Sequence, residues 1–313
     1  MPEITESRLS TKQQIESIWK LGGLSPRQLT RRVYSQIGTD YLMSRASDLA
    51  YNFLLAAFPM LLFLISLFGL FASQSKHLQA SLFFYLSHVL PPDAFTLVQH
   101  TLSEIIRKSG GGKLAFGLVF AIWAGSGGMS SLMSALNIAY GVKDSRSWIA
   151  ARFRAIGLTI AISALIIAAL FIVLYGGSIA EYVGGKLGLA DITVLAWKTA
   201  QWLIALGFVI LSFALIYYYG PDLREQHWYW ITPGSLAGVI LWLAVSFVFR
   251  VYLHFFNSYG KTYGSLGAVI ILLFWFYVTG FAFLIGGEIN SEIEHAAAER
   301  GHPEAKPEGR KAA

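Results

Sequence analysis

Few residues in this chain have the types and spacing to do chemistry, and most stand at the edges of long apolar runs. Gly125, Ser126, Gly127 and Gly128, then Ser130, Ser131, Ser134 and Asn137, place small and polar side chains inside a stretch with no charge from 114 to 142. One reading is a face that lets helices approach closely, with serines bonding back to their own helix. The other is a broken helix whose freed backbone groups line a polar cavity near the bilayer midplane. Under the second, Gly125, Ser126, Gly127, Gly128, Ser130 and Asn137 are candidate substrate contacts. Arg250 and Glu288 join them as the charges nearest two further apolar runs. Arg250 either snorkels from its helix end or meets an anionic group with its planar fork. Glu288, at the level of Asn290 and Asp48, has exposed backbone groups or Arg45 as partners. Arg152 and Arg154 either hold a lipid phosphate or only mark the cytoplasmic side.

Other chemistries lack their residues. The seven histidines form no HxH or HExxH pair and adjoin no acidic cluster of the kind a metal-dependent hydrolase uses. With no cysteine, disulfides, thiolate chemistry and cysteine-based metal sites are excluded. No glycine-rich phosphate loop is present, so no nucleotide or other cofactor is expected. The chain reads as a non-enzyme.

The elements that must position these residues are membrane helices. The chain is 55% hydrophobic and 13% charged, against roughly 25% charged in an ordinary soluble domain. Charge-free runs cover 49–75, 114–142, 155–180, 199–221, 226–249 and 262–287, each above the roughly 20 residues that cross a hydrocarbon layer. The expected fold is therefore all-α and polytopic, with six transmembrane helices. Residues 1–48 form a cytoplasmic N-terminal region, 49–290 the transmembrane domain and 291–313 a disordered cytoplasmic tail, polar from about Ala296. The first 48 residues carry seven Lys or Arg and no apolar core segment, so no cleavable signal peptide is expected.

The net charge of +6 is distributed by topology rather than gathered into a nucleic-acid-binding patch. Alternate segments beginning with the N-terminal region hold 16 Lys and Arg, and the intervening ones seven, with Arg250 inside a span. The positive-inside rule then puts both termini in the cytoplasm.

Local signals add detail. Ser25, Pro26 and Gln28 make a capping-box start, followed by Leu29, Val33 and Ile37 on one stripe beside Arg27, Arg31 and Arg32, which predicts an amphipathic interfacial helix. Thr232 and Pro233 start the fifth span. The stretch HLQASLFFYLSHVLPP, ending at Pro91-Pro92, predicts a periplasmic interfacial helix, with a second near 94–108. Pro59 predicts a bend in the first span. Tyr-Gly pairs at 140–141, 175–176, 219–220, 259–260 and 263–264 read as punctuation near helix ends.

Four strings carry a family resemblance: RASDLAYNFLLAAFPMLLFL (45–64), IWAGSGGMSSLMSALNIAYGV (122–142), PGSLAGVILWLAVSFVFRVYL (233–253) and NSYGKTYGSLGAVIILLFWFYVTGFAFLIGGEIN (257–290). In that order they resemble the YihY/BrkB family of bacterial inner-membrane proteins, once labelled ribonuclease BN. The resemblance implies a six-helix inner-membrane protein and a loose association with envelope and virulence phenotypes; some relatives are linked to lipid A precursor export. The expectation is a transporter-like protein that translocates, or assists export of, a lipid or lipid-linked envelope substrate. The alternative is a non-transporting scaffold of envelope biogenesis. The expected partners are membrane lipids, anionic or lipid-linked, and no nucleic acid. The oligomeric state is open, a homo-oligomer included.

Overall fold

The computed structural model describes residues 18–73, 111–187, 191–223, 231–255 and 265–300. Among them every regular element is helical. A 3-10 turn, Leu21–Gly23, leads into α1 (Pro26–Thr39), α2 (Leu42–Ser73), α3 (Gly111–Ala139), α4 (Trp148–Leu187), α5 (Asp191–Tyr219), α6 (Pro233–Phe255) and α7 (Ser265–Glu299). Successive long helices pack as neighbours from α2 to α7, and α7 returns to pack on α2, closing a ring of six; α1 lies against α7 and α2.

Among the described residues, four helices are long and apolar enough to cross a membrane: Trp148–Val173, Val194–Tyr219, Pro233–Tyr252 and Val269–Glu299. They stay apolar round most of their circumference and bury little; α4 buries only 11% of its most apolar window. Helices of that kind are built to face lipid. The remaining ring members, α2 and α3, are 32 and 29 residues long and hold residues 49–73 and 114–139 of the two other charge-free runs.

The packed core lies at one end of the ring. Leu42, Ala46 and Leu49 from the start of α2 meet Leu132 and Leu136 from the end of α3, Phe213, Ile216 and Tyr217 from the end of α5, Val239 from the start of α6, and Leu284. Glycine permits this density. A Cβ at Gly286 would strike the Tyr217 hydroxyl of α5 and come within 2.7 Å of the Gly234 carbonyl, so α6 and α7 meet almost backbone to backbone there. The Tyr217 hydroxyl instead donates to the Phe283 carbonyl at 2.8 Å.

Helix ends follow their sequence signals in several places. Ser25 Oγ accepts from Gln28 N while Gln28 Oε1 accepts from Ser25 N, the capping box expected for α1. Thr232 and Ser235 cap α6 reciprocally. Tyr140-Gly141 ends α3 with Gly141 at φ +61 and Val142 N donating to the Asn137 carbonyl, a Schellman closure.

Two expectations need correction. Tyr175-Gly176 is no helix end, because α4 runs through it to Leu187. Gly176 is small to admit α5: its carbonyl accepts from Trp197 Nε1 at 2.9 Å, and a Cβ there would come within 2.8 Å of Gln201 Oε1. The region from 291 does not begin as a disordered tail either. α7 continues to Glu299, with Ile293 and Ala296 buried by Leu24, Leu29 and Val33. The same contact decides what the apolar stripe of α1 covers, which is the end of α7. Residues 301–313, the periplasmic interfacial helices and the Tyr-Gly pairs at 259 and 263 lie outside the described residues.

Candidate functional site: a polar groove between α2 and α3

α2 enters the ring with polar residues on one face. Arg45, Asp48 and Asn52 recur at i, i+3 and i+7, so they lie in one row, with Tyr51 at its edge. α3 presents Ser130, Ser131 and Ser134 opposite. Together with Ala135 these residues line a groove of about 390 Å³. It straddles the level at which charge ends and the apolar run begins, since Asp48 is the last charge before 49–75 and the serines lie inside 114–142.

Helix contacts shape the groove. Gly128 is where α3 meets α2: a Cβ there would sit 2.8 Å from the Phe53 ring. Gly127 is different, for nothing lies within 4 Å of where its Cβ would stand. It is i−4 from Ser131 and i−7 from Ser134, so it continues their face one turn deeper. The polar lining is only partly satisfied. Asn52 Nδ2 donates to the Asp48 carbonyl at 2.8 Å, whereas Arg45 Nε is buried without a hydrogen-bond partner.

A second polar cluster adjoins this one. Glu288 is 1% exposed, and its carboxyl hydrogen-bonds that of Asp40, the residue that ends α1. Glu288 Oε1 and His295 Nδ1 are buried without partners. Burial pushes the Asp40 carboxyl above the usual range, against the bond to Glu288 and the charges of His295 and Arg45. α1 is strapped over the cluster by Arg32, which donates to both Glu299 carboxylate oxygens at 3.0 and 2.8 Å and lies 3.7 Å from Glu292.

A third cluster joins the end of α3 to the end of α5. Asn137 Nδ2 donates to Asp144 at 3.1 Å, and Asn137 Oδ1 accepts from Asp222 N at 2.7 Å. Arg146 donates to Asp144 at 2.7 and 2.8 Å and to the Gly220 carbonyl at 3.1 Å. Its hydrogen bond holds the Asp144 carboxyl below the usual range. Burial pushes Asp222 up, but the Ser145 hydroxyl and N–H and the Arg146 charge carry it below.

The residues singled out in the sequence therefore separate. Ser130 lies in the groove, Gly128 beside it and Gly127 on its extended face. α3 is unbroken through Gly125–Gly128, which removes the broken-helix reading; Gly125 faces Thr159, and Ser126 Oγ bonds back to the Trp123 carbonyl at 2.7 Å. Asn137 has both ends of its amide in the interhelix clamp. Arg152 reaches along α3, donating to the Trp123 carbonyl at 2.6 Å with its guanidinium 4.8 Å from the indole centroid; Arg154 is exposed. Glu288 and Arg250 are far apart in role: Glu288 is buried, while Arg250 is exposed near the end of α6. Asn290, expected near exposed backbone, accepts from Gly234 N at 2.9 Å. Asp40, His295, Tyr51 and the pairing of Arg45 with Asp48 in one row were missed. The available signal was the i, i+3, i+7 polar spacing at the start of α2.

Between α6 and α7 lies an apolar cleft of about 670 Å³, lined by Val245, Val248, Phe249, Tyr252, Ile270 and Phe274 among others. At 100° per residue Arg250 projects from the opposite side of α6, so the cleft and the arginine are not one site. Among the described residues, no three His, Cys, Asp or Glu side chains are placed to hold a metal ion.

An all-helical chain with helices of membrane-crossing length and charged groups set into the end of the ring is an integral membrane protein. Comparison with known proteins names its group. The pattern of the family described as Virulence factor BrkB matches residues 33–310, and the chain belongs to that family. It is 32% identical over 261 residues, 83% of this chain and 93% of the other, to the ribonuclease-like protein YfkH of Bacillus subtilis (strain 168). It is 34% identical over 110 residues to a UPF0761 membrane protein of Xanthomonas oryzae pv. oryzae (strain PXO99A), and 32% over 110 residues to one of Xanthomonas campestris pv. campestris (strain B100). Those matches span 35% of this chain and 24% of the Xanthomonas proteins. No solved structure matches it.

Proposed function

We propose that this chain is a six-span inner-membrane protein with both termini in the cytoplasm, and that it translocates, or assists the export of, a lipid or lipid-linked envelope substrate. The observation that carries the reading is the α2–α3 groove. Charged and hydroxyl groups inside a membrane domain are costly unless they serve a path or a site, and this groove runs from the last charges before the first span down a hydroxyl-lined face. Ser130 and its neighbours Ser131 and Ser134 bind the headgroup while acyl chains stay in lipid. Gly127 leaves the passage open below them, and Glu288 with Asp40 lies at its cytoplasmic end. Arg250 contacts an acidic headgroup at the far leaflet. Ribonuclease activity is not part of the proposal: the YfkH name claims likeness only.

The test is lipid movement in proteoliposomes. Vesicles holding the purified chain and acyl-labelled phosphatidylethanolamine or phosphatidylglycerol are treated with a membrane-impermeant quencher, with and without an imposed pH gradient. Wild type is expected to carry label between leaflets, and Gly127→Leu, which adds a side chain where a Cβ meets no atom within 4 Å, to abolish that movement. Wild type indistinguishable from empty vesicles for both lipids and both conditions would leave the scaffold reading instead.

A further inference from the structure

The two charged groups of the groove are opposite in sign and share one helix row, yet they do not satisfy each other. Arg45 and Asp48 are i and i+3 on α2, a spacing that puts Cβ atoms about 5–6 Å apart and commonly gives an ion pair. Among the described residues neither side chain's charged group makes a hydrogen bond or ion pair. Arg45 is half-buried, its Nε is buried and unpartnered, and its field reaches Asp40; Asp48 is exposed at the groove mouth. A simple anion site would not keep a carboxylate in its lining, and a simple cation site would not keep a guanidinium.

We propose that the groove is a binding site for a zwitterionic phospholipid headgroup that carries a primary ammonium, as in phosphatidylethanolamine. The phosphate lies against Arg45, whose planar fork suits it. The ammonium, a two-carbon bridge away, lies against Asp48. The hydroxyls of Ser130, Ser131 and Ser134 meet the remaining phosphate and ester oxygens. Depth selects a lipid over a soluble zwitterion, since the charges stand where the 49–75 run begins and the serines lie eight to twelve residues inside the 114–142 run. This names the substrate class for the transport reading above and rests on that reading for its consequence, but binding alone tests it.

The full chain is purified from detergent containing equal amounts of phosphatidylethanolamine and phosphatidylglycerol, and retained lipid is read by native mass spectrometry. Wild type is expected to retain phosphatidylethanolamine about tenfold over phosphatidylglycerol, the discrimination one charge-assisted bond gives. Asp48→Asn, isosteric and at an exposed position, is expected to lose that preference and accept phosphatidylglycerol. Arg45→Gln should lower retention of both, with partial recovery in Arg45→Lys. Soluble phosphoethanolamine is expected to compete, and inorganic phosphate to compete less. Equal retention of both lipids by wild type, or an unchanged preference in Asp48→Asn, would overturn the assignment; so would equal competition by inorganic phosphate. Capture of soluble phosphoethanolamine with no lipid retained would overturn the lipid source. Preferential retention without movement in proteoliposomes would sink the transport reading and leave the site; movement without preference would do the reverse.

Discussion

Arg146 shows how single side chains hold the packed end of the ring together. Its guanidinium, only 7% exposed, joins Asp144 and the Gly220 carbonyl and lies 3.6 Å from Asp222, while Asn137 ties the same two aspartates through its amide. Breaking such a network strands buried donors and acceptors, so Arg146→Gln is expected to destabilise the protein by about 1–3 kcal/mol at neutral pH. The pH dependence follows from the depressed aspartates. A carboxylate whose folded value lies below its unfolded value of about 3.9 contributes stability that is complete above that pH. The contribution is lost as pH falls through the lower folded value. Thermal unfolding in detergent is therefore expected to show a gap between wild type and Arg146→Gln that is constant from pH 7 to about pH 5 and narrows below about pH 4. A gap that persists unchanged into acid would mean the aspartates are not what Arg146 holds. Asn137 belongs to this network, and its polarity inside a charge-free run signalled a use without saying which: its partners come from 144 and 222, distances along the chain that no local period encodes.

At the scale of elements, adjacent glycines of α3 differ in role although the sequence presents them as one cluster. Gly128 faces the Phe53 ring and Gly127 faces open space. Leu at 128 must displace α2 or strain its own rotamer, a penalty of about 1–3 kcal/mol for overpacking. Gly128→Leu is thus expected to lower the melting temperature and the yield of monodisperse protein, while Gly127→Leu keeps both near wild type and loses function. Equal damage at the two positions, read by size-exclusion profile and thermal unfolding, would contradict the open face. The same logic explains which helix ends were legible. Ser25, Gln28, Thr232 and Gly141 signal through bonds within a few residues of themselves, so the sequence alone places them. Gly176 and Asn290 look like boundaries, but α5 packs at Gly176 and α1 packs on α7 beyond Asn290, at Ile293 and Ala296, and the helices run on to Leu187 and Glu299. Tertiary partners override local punctuation wherever a small residue is needed for contact rather than for a turn.

For the whole molecule, hydropathy makes the membrane class and the helical fold readable, because roughly 20 apolar residues have one stable way to cross lipid. The site was only half readable. Its serines stood out inside an apolar run, but Arg45 and Asp48 counted as ordinary charges flanking a first span until the ring brought α2 beside α3. On the transport proposal, this groove admits water and headgroups below the charged rim. Since the chain has no cysteine, single cysteines report on it without background. Cysteine placed at Ser131 and at Gly127, in vesicles of known orientation, is to be treated with a charged, membrane-impermeant maleimide added to one side at a time, with Leu170→Cys on the exposed face of α4 as the lipid-facing control. Rapid labelling is expected at both groove positions from the side of the packed core, slowed by added phosphatidylethanolamine, and none at 170. Protection of both groove positions from either side, equal to that at 170, would show the groove to be dry and contradict the claim.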